Sequence, residues 1–129
     1  MIQALLAALA LAVTGPAGAA LAAGEVANPE ATVDAEVIHL RGLDNLNGIA
    51  KDLEVRVGDT LTFGQLEIHA EACRVPRDDP KGDAEAFLSI RDVRDPAPRF
   101  SGWMFASSPA LSALDHPRYD VWVVSCSIS

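Results

Sequence analysis

From Val37 onward, apolar residues recur at every second position in short runs that end at turn residues, the period of strands half-buried in a sheet. Leu53, Val55 and Val57 alternate with Glu54 and Arg56, and Leu66, Ile68, Ala70 and Ala72 alternate with Gln65, Glu67, His69 and Glu71. On that parity Cys73 falls with the polar set, so either a bulge re-aims it inward or it lies at the edge of the core. Strands are predicted over Val37 to Leu43, Leu53 to Val57, Thr60 to Phe63, Leu66 to Cys73, Phe87 to Val93, Phe100 to Ala106 and Tyr119 to Cys126. Asn47-Gly48 suits the positive-φ positions of a hairpin turn that pairs the first two. The final strand is apolar on both parities, Val121 and Val123 against Trp122 and Val124, as in a central strand buried on both faces. Ser108-Pro109 introduces one helical stretch, Ala110 to Leu114, with Ser108 as N-cap and Pro109 at the first helical position. Short strands with turn signals at about ten-residue spacing define the expected fold class: an all-β, small antiparallel β-sandwich or partly open barrel with one short helix and one disulfide.

Upstream the pattern changes. Ile2 to Val13 is an apolar run, Gly15-Pro16 breaks it, and Ala17 to Ala23 supplies the small residues that a signal peptidase requires. Residues 1–23 are therefore read as an export signal, 24–36 as a polar, flexible leader, and 37–129 as a single β domain. The n-region carries no Lys or Arg, so the positive charge comes from the amino terminus or the true start lies upstream. The run is shorter than the ~20 residues a permanent span needs, and no later stretch approaches that length. No cysteine stands at the junction, so no lipoprotein-type anchor is expected. The expected location is the periplasm, without membrane insertion once the signal is removed.

A mature chain of roughly 105 residues buries only about 60–70% of its unfolded surface, so a cross-link has much to contribute. Cys73 and Cys126 are the two cysteines, and an even count in an exported chain reads as a disulfide. Closing a loop of about fifty residues constrains the unfolded chain by about 4 kcal/mol in the entropy model. Neither cysteine belongs to a Cys-x-x-Cys or has a histidine at ligand spacing, which argues against a redox or metal pair. The net charge of −8 falls wholly after residue 24, and such an acidic surface disfavours nucleic acid and anionic lipid as partners.

The densest aromatic block is FSGWMFASSPALSALDHPRYDVWVVSC, from Phe100 to Cys126. It resembles the uncharacterised exported family of Gram-negative bacteria known as domain of unknown function 2155. GDTLTFGQLEIHAEAC, from Gly58 to Cys73, is similar to that family as well, and with the Leu43-Asp44 turn the likeness spans essentially the whole mature domain. The resemblance implies export, small size and a single disulfide. It brings no activity, substrate, cofactor or site residue.

Four groups carry candidate chemistry. Ser107, Ser108, Asp115, His116 and Asp120 hold the residue types of a serine-hydrolase triad, but the G-x-S-x-G elbow is absent and Ser108 already has a capping role. His39 and His69 could share a metal with Glu67 or Glu71 if their strands are neighbours; exposed sheet-face histidines are the plainer reading. Asp78, Asp79 and Asp83 match no calcium loop and read as a solvated turn. Phe100 and Met104 point one way and Trp103 and Phe105 the other, so one pair fills the core while the other is covered by the helix or forms a binding patch. The binding candidates are thus Phe100, Trp103, Met104 and Phe105, with no catalytic residue, metal or cofactor expected. The expected role is a non-catalytic accessory or binding module at the cell envelope, with a protein or glycan partner. A small envelope hydrolase acting on glycan or peptide is the alternative, to be tested first at Ser107, Ser108 and His116.

Overall fold

Alternating runs from Val37 to Ser127 build two antiparallel sheets whose apolar faces meet, as seen in a computed structural model that describes residues 31–128. The predicted export signal and most of the leader lie outside the described residues. The strands are β1 (Thr32–Asp34), β2 (Val37–Asp44), β3 (Ile49–Arg56), β4 (Thr60–Phe63), β5 (Leu66–Pro76), β6 (Glu85–Asp92), β7 (Pro98–Phe105) and β8 (Tyr119–Ser127). One sheet has the order β1-β5-β6-β7, with β4 also pairing β5; the other has the order β3-β2-β8. The arrangement is an open two-sheet sandwich.

Its core is the sum of the inward parities. Ile38 and Leu40 of β2 and Val121 and Val123 of β8 face Ile68 and Ala70 of β5, Leu88 and Ile90 of β6 and Met104 of β7, all buried. Ordered structure begins earlier than the hydrophobic pattern predicts, because Thr32–Asp34 of the expected leader pairs with Arg74–Pro76. A three-residue strand with one apolar side chain leaves too little periodicity to be read from sequence.

The predicted β2–β3 hairpin forms, with Asp44 opposite Ile49. Its four-residue connection is organised by the Asp44 carboxylate, whose Oδ1 accepts from the Leu46 and Asn47 N–H groups at 3.0 and 3.4 Å. Gly48 alone takes a left-handed φ, 65°, so Asn47 does not occupy the second such position that the Asn-Gly pair suggested.

Two β-bulges decide where the cysteines point. In β5 the register against β6 skips Glu71, and in β8 the register against β2 skips Val124. Each extra residue reverses the alternation beyond it, turning Cys73 and Cys126 inward to 1% and 6% exposure. They form the disulfide that joins the two sheets, with Cα atoms 6.6 Å apart.

Two further expectations are corrected. Among the described residues β8 pairs only with β2, so it is the edge of its sheet rather than a central strand, and its outer face leaves Val124 51% exposed. The predicted helix Ala110 to Leu114 is a single 3-10 turn over Pro109–Leu111, in which Ser108 makes no side-chain capping bond and no residue is buried. Five residues between two prolines are too few for the cooperative hydrogen bonding a helix needs, and the one side chain they bury, Leu114, lies beyond the turn. Among the described residues no helix is long and apolar enough to cross a membrane.

Candidate functional site

Strand register sets a row of side chains across the outer face of the larger sheet: Asp34 of β1 pairs with Arg74 of β5, Arg74 with Glu85 of β6, and Glu85 with Phe105 of β7. One step along lies the row Ala72, Phe87 and Trp103. The bulge at Glu71 matters here too, because by turning Cys73 inward it turns Arg74 outward.

Trp103 is the centre of this group. Phe87 meets its ring edge-to-face at 5.4 Å and 89°, and the Arg74 guanidinium carbon stands 5.2 Å from its centroid. Arg74 approaches the exposed Asp34 carboxylate at 3.8 Å. Glu85 is 9% exposed, and its Oε1 is buried without a hydrogen-bond partner. Burial pushes the Glu85 carboxyl above its ordinary range; Arg74 opposes that shift and Asp83 reinforces it. The result is an aromatic surface with a cation laid on it and a desolvated carboxylate beneath.

The four binding residues expected from sequence do not form one surface. Met104 is 2% exposed within the core, and Phe100 is half-buried against it. Trp103 and Phe105 are half-buried on the outer face. Arg74, Glu85 and Phe87 were missed because each belongs to a different strand segment from Trp103, and only the pairing brings them together. The alternation of Glu85 and Phe87 with buried Ala86 and Leu88 was the available signal.

The triad residues are dispersed into other bonds. Ser107 donates from Oγ to Asp83 Oδ2 at 2.7 Å, and its N–H donates to Asp83 Oδ1. The side chain of His116 is 2% exposed, with Nε2 3.0 Å from Asp92 Oδ2. Its Nδ1 accepts from the backbone N–H groups of Arg118 and Tyr119 at 3.0 and 3.3 Å, so the ring is the Nε2–H tautomer that donates to Asp92. Asp92 is held well below the usual carboxylate range, first by the Arg94 backbone N–H and next by His116. Asp44 is lowered to about 2, chiefly by Arg118, which grips it bidentately at 3.0 and 2.9 Å. Tyr119 sits between these pairs, 5.1 Å from the His116 ring and 5.6 Å from Phe63, and its hydroxyl accepts from the Gln65 N–H at 3.1 Å. These bonds lock one end of the sandwich, tying β2, β6, β8 and the β4–β5 turn together.

His39 and His69 belong to opposite sheets and face away from the shared core, so they cannot share an ion. His39 reaches Ser127 at 3.2 Å and His69 reaches Thr60 at 2.9 Å. In the Asp78 to Asp83 loop, the Asp83 carboxylate is engaged by Ser107. Among the described residues, no group of three or more His, Cys, Asp or Glu side chains is placed to hold a metal ion.

An open two-sheet β module, stapled between its sheets by one disulfide and bearing one aromatic outer face, is the class of protein these features define. Within that class, the chain belongs to the bacterial family described as "Uncharacterized protein conserved in bacteria (DUF2155)", which matches residues 38–126. It is similar to "Uncharacterized protein RP359" of Rickettsia prowazekii (strain Madrid E), at 26% identity over 87 residues, covering 65% of this chain and 56% of that protein. The chain thus spans little more than half of that relative's length. No solved structure gives a significant match.

Proposed function

We propose that this chain is an exported, non-catalytic binding module of the bacterial cell envelope that engages its partner through the outer face of β5, β6 and β7. The observation that carries the reading is the position of Trp103. It stands on an outer sheet face with Phe87 and Phe105 beside it, and the Pro109–Leu111 turn buries none of its own residues. Aromatic side chains that stay partly exposed on a rigid sheet are the usual anchors of an interface. Export is supported by the apolar run, the Ala-rich junction and the disulfide. The hydrolase alternative is weakened because both nitrogens of His116 are engaged, away from any serine bond described above.

A photo-crosslinking residue placed at exposed Ser101, next to Trp103, tests the reading in periplasmic extract against the same probe at Asp52 on the opposite sheet. A discrete adduct at Ser101 alone, lost in Trp103→Ala, is expected. Equal labelling at both positions, or labelling indifferent to Trp103→Ala, overturns it.

A further inference from the structure

We propose that the site formed by Glu85, Trp103, Phe87 and Phe105 takes the guanidinium or ammonium group of a basic segment of a partner protein, in place of Arg74. The proposal rests on the binding face described above and names what that face recognises.

Four observations converge. Glu85 is nine-tenths buried, yet its Oε1 receives no hydrogen bond, an arrangement that costs stability until a donor arrives. Trp103 already presents its ring to a cation, the Arg74 guanidinium at 5.2 Å, so the surface is shaped for one. Arg74 is held weakly: its ion pair with Asp34 is stretched to 3.8 Å and the Asp34 side chain is 90% exposed, whereas Arg118 grips Asp44 bidentately at 3.0 and 2.9 Å. An incoming cation can therefore displace Arg74 toward Asp34 and solvent, taking over its contacts with Trp103 and Glu85.

Charge supplies the fourth. From Arg74 to Glu85 the chain carries Asp78, Asp79, Asp83 and Glu85 against Arg74, Arg77 and Lys81, within a protein of net charge −8. The segment itself is nearly balanced, and the net charge of −8 on the chain as a whole is what attracts a basic partner and repels an acidic one. The occupant is a polypeptide because the site lies on an open sheet face, where Trp103 and Phe105 stand on the same side of β7 for a chain to lie across them.

The test uses the oxidised mature protein and synthetic Gly/Ser nonapeptides with a central Arg, Lys or citrulline triplet, followed by the indole N–H signals of Trp103 and Trp122. The Arg and Lys peptides should shift Trp103 and leave Trp122 in place. Citrulline, which keeps the shape of arginine without its charge, should bind about tenfold more weakly, as should Arg peptide to Glu85→Gln, the effect of one charged hydrogen bond. Arg74→Ala should tighten binding several-fold, and Arg74→Gln repeats that comparison should the first variant fold poorly. Equal binding of citrulline and arginine peptides overturns the cation assignment while the crosslink at Ser101 still upholds the face. Absence of any Trp103 shift with the Arg and Lys peptides also overturns it. Loss of the Trp103-dependent crosslink overturns the underlying reading instead.

Discussion

Cys73 and Cys126 meet, with Cα atoms 6.6 Å apart, because each follows a one-residue bulge that turns it out of the alternation of its own strand and into the core. Neither cysteine reaches the other on an unbroken strand, since a one-residue slip exchanges the two faces of a sheet. The bulges are thus part of the covalent architecture, and the bond they permit cross-links the two sheets through side chains.

Deleting Glu71 should straighten β5 while keeping Cys73 inward, because Ala70, Ala72 and Cys73 already pair with the consecutive residues Leu88, Phe87 and Ala86. Thiol titration of the purified variant is expected to give no reactive cysteine, as in the parent. Two reactive thiols in the folded variant would show that the bulge does more than set the facing of Cys73. Replacing both cysteines by serine should lower stability by about 2–5 kcal/mol, measured by urea denaturation of parent and variant under oxidising conditions.

Met104 and Trp103 are adjacent in sequence but opposite in role. Met104→Ala empties a buried site and is expected to cost about 2–5 kcal/mol. Trp103→Ala loses an edge-to-face partner of Phe87 on a half-buried surface and should cost only about 0.5–1.5 kcal/mol beyond its lost contact area. Denaturation midpoints paired with crosslinking at Ser101 separate the two, because Met104→Ala should preserve capture in whatever fraction remains folded.

Gly64 occupies a left-handed φ of 57°, and a Cβ there would stand 2.9 Å from the Tyr119 Cζ. Gly64→Ala therefore combines an unfavourable backbone with a clash against a fully buried ring, and should cost more than about 1 kcal/mol. Tyr119→Phe leaves the ring in place but strips the Gln65 N–H of its acceptor, at a cost of about 1–3 kcal/mol if that group stays buried. A midpoint unchanged in either variant would contradict the packing described at this end of the sandwich.

The pH profile of stability should carry two opposed contributions. Asp44 and Asp92 titrate below their ordinary values, so their stabilisation is complete above about pH 4 and is lost as pH falls, for Asp44 through about 2. Glu85 titrates above its ordinary value, so its native state prefers the proton; stability falls as pH rises from about 4.5 through the raised value. Glu85→Gln should consequently be more stable than the parent at pH 7, with the difference shrinking toward pH 4. Asp44→Asn should flatten the acid limb. Urea midpoints collected from pH 2 to 8 read both, and an acid limb unaffected by Asp44→Asn would remove that residue from the account.

Local chemistry was enough to announce the strands, the hairpin at Asn47-Gly48 and the single disulfide, because alternation, turn residues and an even cysteine count all act within short stretches of chain or on the chain as a whole. It also singled out Trp103 and Phe105, whose parity opposes that of Met104. Strand order lay beyond it. Pairing is chosen by the fit of whole faces, so β8 could read as central from its apolar run and yet lie at an edge, and Thr32–Asp34 could read as leader and yet pair with β5. The inward turn of Cys126 depended on a bulge that one extra residue creates only against a partner strand. Most of all, the meeting of Arg74, Glu85, Phe87 and Trp103 belongs to the tertiary structure alone: three strands must align in register before a buried carboxylate and an aromatic face can share one surface.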